Sequence, residues 1–128
     1  SLSQISLPVC KYIGEYAFYD CYKLSQVSLP VCSYIGSSAF GFCRSLSQIS
    51  LPMCSYIGSS AFYYCSSLSI ITLGYSGVCS LYDSKVFSYT LITRSTGSIY
   101  VPSSLVSVYK SASVWKLYYR IIQSYPGL

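Results

Sequence analysis

One stretch of 22 residues is written three times in succession at the start of this chain, and that register limits the possible folds more than any other feature. Residues 2–23 read LSQISLPVCKYIGEYAFYDCYK, residues 24–45 read LSQVSLPVCSYIGSSAFGFCRS, and residues 46–67 read LSQISLPMCSYIGSSAFYYCSS. A fourth copy begins at Leu68 with LSIITL and then degenerates. A fixed period of roughly 20–30 residues is the mark of a solenoid, in which each unit buries its apolar face only against its neighbours.

Within the unit, Leu2, Ile5 and Leu7 recur as Leu24, Val27 and Leu29, as Leu46, Ile49 and Leu51, and as Leu68, Ile71 and Leu73. The second and third of each set alternate with Ser, the period-two pattern of a short strand with one buried face. Pro8, Pro30 and Pro52 follow at once, and proline has no N–H to give a ladder, so the strand ends there in a turn. Tyr12–Gly14, Tyr34–Gly36 and Tyr56–Gly58 read as a second extended segment with Ile in the core. Their glycines are expected to supply a backbone angle that other residues resist. Ala-Phe-x-x-Cys, at 17–21, 39–43 and 61–65, reads as a tight turn or 3₁₀ segment. Stacking at the ~4.8 Å spacing of strands would set Leu on Leu, Ile on Ile, and Phe18 on Phe40 on Phe62. A single unit buries too little to offset the ordering of its residues, at about 1.5 kcal/mol each, so stability has to come from stacking.

After Gly97 the chain returns to a legible pattern. Ile99 to Val101 is expected to be the last strand, stopped by Pro102. Ser103 or Ser104 is placed to N-cap a short helix carrying Leu105, Val108 and Tyr109 on one face. A second helical stretch, Trp115 to Ile122, carries Trp115, Tyr118 or Tyr119 and Ile122 at helical spacing. Both are expected to cover the open end of the last coil, as terminal repeats do.

The repeat motif L-x-x-I-x-L-P-x-C-x-x-I-G-x-x-A-F-x-x-C-x-x closely resembles the BspA-like leucine-rich repeats of bacterial and protist surface proteins, over residues 2–73. The segment from Ser98-Ile99-Tyr100-Val101-Pro102 through Trp115 to Ile121 is similar to the closing segment of that family. Residues 74–97 depart from the pattern, with Leu81 and Phe87 standing in for the usual Ile and Phe. The expected organisation is leucine-rich repeats at 1–73, a degenerate repeat at 74–97, and a C-terminal strand with a helical cap at 98–128. The expected fold is a right-handed coil of about four turns with short parallel strands. The resemblance implies a non-catalytic interaction module of the adhesion type, extracellular or on a cell surface, with a protein or glycan ligand. The alternative is a spacer or assembly element of a larger surface or virion particle. The first strand is expected to present a bare edge, covered by an N-terminal continuation of the chain or by a neighbouring subunit.

Composition removes several function classes. Of the 128 residues 52% are apolar and only 9% charged, and mean hydropathy is +0.48, yet no run approaches the ~18 apolar residues of a membrane span. The net charge of +5 comes from scattered Lys and Arg, whereas nucleic-acid binding needs a clustered basic stripe. Histidine is absent, and the carboxylates are Glu15, Asp20 and Asp83, which leaves a Ser or Cys nucleophile without a positioned base. No enzyme and no cofactor are expected. Cys10, Cys21, Cys32, Cys43, Cys54 and Cys65 alternate at half the repeat, with Cys79 left over. Zinc sites need local ligand pairs. The thiols here should form two columns and behave as small apolar core residues, in preference to disulfides or a metal site.

Tyrosine, present in 16 copies, is the more informative excess. Tyr12, Tyr34 and Tyr56 should form an exposed column of stacked rings whose mutual packing is sufficient reason for them. Aromatic residues that vary between units are better candidates for contact, because Tyr gives a large interface at low entropic cost. The expected partner surface is Tyr16, Tyr19, Tyr22, Phe42, Tyr63 and Tyr64, with Arg44 and Lys23 at its edge. A third array, Ser3-Gln4-Ser6 with its copies Ser25-Gln26-Ser28 and Ser47-Gln48-Ser50, lies on the outer face of the first strand. A regular hydroxyl grid suits an ice or glycan surface, but Ser and Gln are also the ordinary way to solvate a strand.

Overall fold

The structure is a computed structural model and describes residues 3–74, 76–94 and 96–125. Leu2, the head of the expected Leu column, lies outside them. Every repeat contributes two short strands. The first strands are β1 (Gln4–Ser6), β3 (Gln26–Ser28), β5 (Gln48–Leu51) and β7 (Ile70–Leu73). The second strands are β2 (Tyr12–Ile13), β4 (Tyr34–Ile35), β6 (Tyr56–Ile57) and β8 (Ser80–Leu81). Each pairs in parallel with its counterpart in the next coil, so Ile5 lies beside Val27, Ile49 beside Ile71, and Ile13 beside Ile35 beside Ile57. Two sheets result, β1-β3-β5-β7-β9-β10 and β2-β4-β6-β8, with β9 at Ser98–Val101 and β10 at Ile122–Ser124. Leu24, Leu46 and Leu68 are fully buried, as the repeat requires.

The turn between the two strands follows from proline. Pro8 occupies the second position of a turn closed by the Cys10 N–H on the Leu7 carbonyl, and the same bond recurs from Cys32 to Leu29 and from Cys54 to Leu51; proline's fixed φ suits that position. The third side of the coil is a turn ladder. In the first unit the N–H groups of Tyr16, Phe18 and Asp20 donate to the carbonyls of Ser37, Ala39 and Gly41 in the next coil, while those of Ala17, Tyr19 and Cys21 close turns within their own coil. Backbone donors on all three sides are thus satisfied by stacking.

The repeat glycines have a different role from the expected one. None of Gly14, Gly36 and Gly58 has a positive φ. A Cβ on Gly36 would lie 2.8 Å from the Gly14 carbonyl carbon and the Ile13 oxygen, and one on Gly58 would lie 2.8 Å from the Ser37 nitrogen. Glycine is there because successive coils approach too closely for any side chain. The left-handed backbone falls on non-glycine residues of the turn ladder, Tyr16, Ser38 and Ser60 at one repeat position and Asp20, Phe42 and Tyr64 at another.

Stacked rings form the centre of the core. Phe18, Phe40, Phe62 and Phe87 follow one another at 5.4, 5.6 and 5.8 Å between centroids, nearly parallel. Phe87 takes the Phe position of the fourth coil, and Leu81 pairs with Ile57, so both substitutes expected from the sequence are in place. Trp115 and Tyr118 close this spine against Phe87 at 5.8 and 5.9 Å.

The closing segment departs from expectation in four respects, the last being that Val108 does not share the core face of Leu105 and Tyr109. Ser98–Val101 is not the last strand, because β10 adds to it in parallel with Ile122 beside Ile99. The stretch before β10, Trp115–Ile121, is 3₁₀ rather than α-helical, with a kink at Tyr118. The one α-helix among the described residues, α1 (Val106–Ser111), is entered through a 3₁₀ turn with Pro102 at its cap, and neither Ser103 nor Ser104 makes a capping bond. Proline can serve because it has no N–H to satisfy. Leu105, half-buried Val106 and buried Tyr109 face the core, while Val108 points outward. The cap's rings also serve the backbone. Trp115 Nε1 donates to the Cys79 carbonyl at 2.6 Å, and the Cys79 N–H donates to Tyr109 Oη at 2.7 Å. Among the described residues no further coil pairs with Cys79 beyond β8, so side chains take that place.

Two outcomes follow. Gly36→Ala should destabilise the protein by about 1–3 kcal/mol through overpacking against backbone. Gly14→Ala, whose Cβ would meet nothing nearer than the Tyr12 ring at 3.8 Å, should change stability by under about 1 kcal/mol; denaturant midpoints of the two variants test the contrast. Burial holds the Tyr109 phenol up at about 12 instead of 10. A raised phenol favours the fold fully below pH about 10 and loses that contribution as pH rises through about 12. Alkaline unfolding should therefore coincide with ionisation of the last tyrosine, and Tyr109→Phe should abolish that coincidence.

Candidate functional site

The turn ladder carries the expected aromatic residues outward and assembles most of them into one continuous group. Tyr16 meets Tyr19 edge-on at 5.2 Å, and Tyr19 meets Phe42 of the next coil edge-on at 5.5 Å. Phe42 stacks on Tyr64 at 5.1 Å and touches the edge of Tyr63 at 5.7 Å. The Arg44 guanidinium lies over both Phe42 and Tyr64, at 5.5 and 5.9 Å from their centroids, within cation–π range. Tyr16, Tyr19 and Tyr64 are exposed, whereas Phe42 and Tyr63 are half-buried in the group. Gly41 makes room for it, since a Cβ there would sit 3.0 Å from the Tyr19 ring.

Two expected members stand apart. Tyr22 is exposed but touches none of the described rings, and its carbonyl only receives the Ser45 hydroxyl at 2.6 Å. Lys23 is exposed as well, with no cation–π partner among the described residues. One member was missed. Tyr89 stacks on Tyr64 at 4.8 Å, meets Tyr63 edge-on at 5.6 Å, and extends the group into the fourth coil. The signal was present: Val86-Phe87-Ser88-Tyr89 copies Ala61-Phe62-Tyr63-Tyr64 once Phe87 is aligned with Phe62.

The backbone under these rings is costly. Phe42, Tyr64 and Tyr89 have φ of 60°, 59° and 63°, a region penalised by about 1–2 kcal/mol for a residue with a Cβ and eased for Asn, Asp or Gly. Asp20 occupies the same repeat position in the first coil with φ 61°, which shows the residue type the backbone prefers. Ring–ring contacts at about 0.5–1.5 kcal/mol per pair offset that penalty without a clear surplus. Fold stability alone therefore gives no strong reason to place aromatics here.

The other two arrays are also formed. Tyr12, Tyr34 and Tyr56 stack at 4.7 and 4.8 Å; the column ends there, because β8 sets Ser80 beside Tyr56. The Ser and Gln residues of β1, β3 and β5 all point to solvent. Among the described residues no cluster of His, Cys, Asp and Glu is arranged to hold a metal ion.

All seven cysteines are free thiols. Cys79 is not a leftover: its thiol lies beside that of Cys54, as Cys65 lies beside Cys43, so it extends the column of Cys10, Cys32 and Cys54. The thiols of Cys43, Cys54 and Cys65 donate to the carbonyls of Phe18, Tyr56 and Phe40. The adjacent Cys43 and Cys54 thiols, and then burial, push Cys65 and Cys79 above the ordinary thiol range, which disfavours the thiolate that a nucleophile needs. In the second column Thr90 occupies the Cys position of the fourth coil and returns its hydroxyl to the Phe87 carbonyl at 2.7 Å.

Comparison with known proteins agrees with this architecture. The sequence profile of the BspA type leucine rich repeat region, written for six copies, matches residues 1–113. The chain belongs to that family. No curated protein sequence matches it. Among solved structures it is similar to the crystal structure of a leucine-rich repeat protein from Bacteroides ovatus ATCC 8483, at 25% identity and a TM-score of 0.58. That similarity covers 89% of this chain and 28% of the other. A leucine-rich repeat domain of this family is a protein-interaction module in kind, and no helix among the described residues is long and apolar enough to cross a membrane.

Thiol accessibility gives a direct check on the columns. In the folded protein a thiol reagent should modify only half-buried Cys10 and Cys21, and buried Cys32, Cys43, Cys54, Cys65 and Cys79 should react only after denaturation. Peptide mass mapping of a labelling time course reads this out.

Proposed function

We propose that the protein is a non-catalytic, adhesion-type interaction module that grips a protein partner through the ring group of its turn ladder. The observation that carries this reading is the continuity of Tyr16, Tyr19, Phe42, Tyr63, Tyr64 and Tyr89 across four coils, with Arg44 seated on two of them. Large rings with a polar tip, together with Arg, are the residues in which interface energy concentrates. Four of them, Tyr16, Phe42, Tyr64 and Tyr89, are held at a backbone cost that Gly, Asn or Asp would ease, as retention for contact requires. Exposed aromatic surface of this extent is a usual mark of an interaction site. The partner is a protein of a host or neighbouring cell, and the setting is the cell surface, as the family resemblance implies.

The test separates binding from folding. Replacing Phe42, Tyr64 and Tyr89 together with Asn relaxes three left-handed positions while removing three rings. The melting temperature should shift by only a few degrees in either direction, because the two effects oppose. Binding of the purified protein to matrix proteins and intact cells should weaken at least tenfold, ~1.4 kcal/mol, and Arg44→Ala should weaken it further. Tyr12→Ser, on the separate ring column, serves as the control that leaves binding intact. Undiminished binding by the triple variant would place the contact elsewhere on the coil.

A further inference from the structure

We propose that the outer face of the six-stranded sheet is a second binding site, for an extended, uncharged glycan lying along the stack with about one sugar unit per coil. The face is built from two rows. Gln4, Gln26 and Gln48 lead to Ile70 in register, and Ser6, Ser28 and Ser50 lead to Thr72 and then Tyr100. A groove of about 760 Å³ runs across it, lined by these Gln and Ser residues together with Ile5, Val27 and Ile49, and ending at Thr72. No strand of the sheet contains a charged residue.

Other serines of the coil are used differently, Ser25 in the groove lining among them. Ser25, Ser33, Ser37, Ser55 and Ser69 each donate to a backbone carbonyl of an adjacent coil, at 3.1–3.5 Å. Those hydroxyls staple the stack. Among the described residues, the hydroxyls of Ser6, Ser28, Ser50 and Thr72 and the amides of Gln4, Gln26 and Gln48 make no such bond. They stand free in an ordered grid, each hydroxyl both donor and acceptor and each amide offering two donors and an acceptor.

Charge and spacing select the ligand. A surface with no ionic group has nothing to hold a phosphate, a sulfate or a carboxylate. With no Arg, and with Tyr100 as the one aromatic residue of its strands, it lacks the cluster of anchors that a protein partner would use. Sugar hydroxyls can replace the water on such a grid and reproduce its hydrogen bonds. The strands repeat at ~4.8 Å, close to the advance of one pyranose unit in an extended chain with equatorial linkages, so a bound chain would meet the same Gln–Ser pair at every coil. Tyr100, half-buried beyond Thr72, offers a ring to the apolar face of a terminal sugar. On the strands beyond, Gln123 Nε2 donates to the Ser98 hydroxyl at 3.2 Å.

The experiment titrates the protein with neutral β-1,4-linked oligomers of glucose and of N-acetylglucosamine, two to six units long, following side-chain amide resonances and heat. Affinity for at least one series should rise with each unit up to about four and then level off. The perturbed amides should be those of Gln4, Gln26 and Gln48. Gln26→Ala combined with Ser28→Ala alters only exposed, unbonded side chains, so the melting temperature should hold while binding falls at least tenfold. The Phe42, Tyr64 and Tyr89 variant should bind the oligomers normally, which keeps this site distinguishable from the protein contact. The proposal is overturned by absence of binding at millimolar oligomer, by binding that the Gln26/Ser28 variant retains, or by heparin competing as well as the neutral chains.

Discussion

Everything in this molecule depends on one constraint: each coil must place the same atoms over those of the coil before it. Backbone N–H and C=O groups on three sides of the coil find their partners in the neighbouring coil, and only an in-register stack satisfies them all. Register then forces side chains at equivalent positions to within a strand spacing of each other. Like meets like, and each residue type is chosen for how well it stacks on its own copy. Phenylalanine makes a spine of near-parallel rings, cysteine makes two narrow columns, and glycine lets Gly36 and Gly58 come within reach of the coil below. The same rule governs the surface, where it turns single tyrosines into ring columns and single serines into rows.

A stack of this kind has an end, and the end has to be made from something other than another repeat. The fourth coil departs from the repeat pattern in sequence between Gly74 and Gly97 yet keeps Leu81, Phe87 and the Cys79 thiol in their columns. Over it, the cap substitutes side chains for backbone. Trp115 and Tyr109 bond the Cys79 peptide, Tyr125 bonds the Leu73 carbonyl, and β10 pairs with β9. An aromatic side chain with a polar tip is suited to this work, because it fills the void above Phe87 and still delivers a hydrogen bond to the strand edge. The opposite end is open among the described residues. β1 and β2 are edge strands, and Phe18 and Cys21 are only partly covered where their counterparts Phe40 and Cys43 are buried.

The surfaces differ in what they ask of the fold. Sheet faces are the cheapest place for regular polar rows, since extended residues point outward without strain. The turn ladder is harder, because two residues four apart in each coil, such as Tyr16 and Asp20, fall in the left-handed region. Aromatic residues there act against the local backbone preference, which Asp20 at the same repeat position as Phe42 and Tyr64 satisfies. That conflict between local propensity and observed residue is the pattern expected where function overrides folding convenience. It supports the turn side as the protein-contact surface more strongly than exposure alone.

The repeat was sufficient by itself to determine strand positions, the Leu, Ile and Phe columns, the parallel stack and the family, because each is a consequence of periodicity in apolar residues. It also led to most of the ring group, since Tyr16, Tyr19, Phe42, Tyr63 and Tyr64 differ between units where the core does not. Other properties only the folded stack decided. Whether Gly36 serves an angle or an approach depends on the distance to the coil beneath. Cys79 and Tyr89 join their columns only once the irregular fourth coil is threaded, because insertions between Leu73 and Phe87 break the count that periodicity relies on. Ile122 passes from a helical reading to a strand because β9 leaves an edge that needs a partner, and a short apolar run fits either period. Sequence fixes what repeats; contacts made between repeats, or where the repetition fails, are settled by the geometry of the stack, since they arise from neighbours that lie close in space and far apart along the chain.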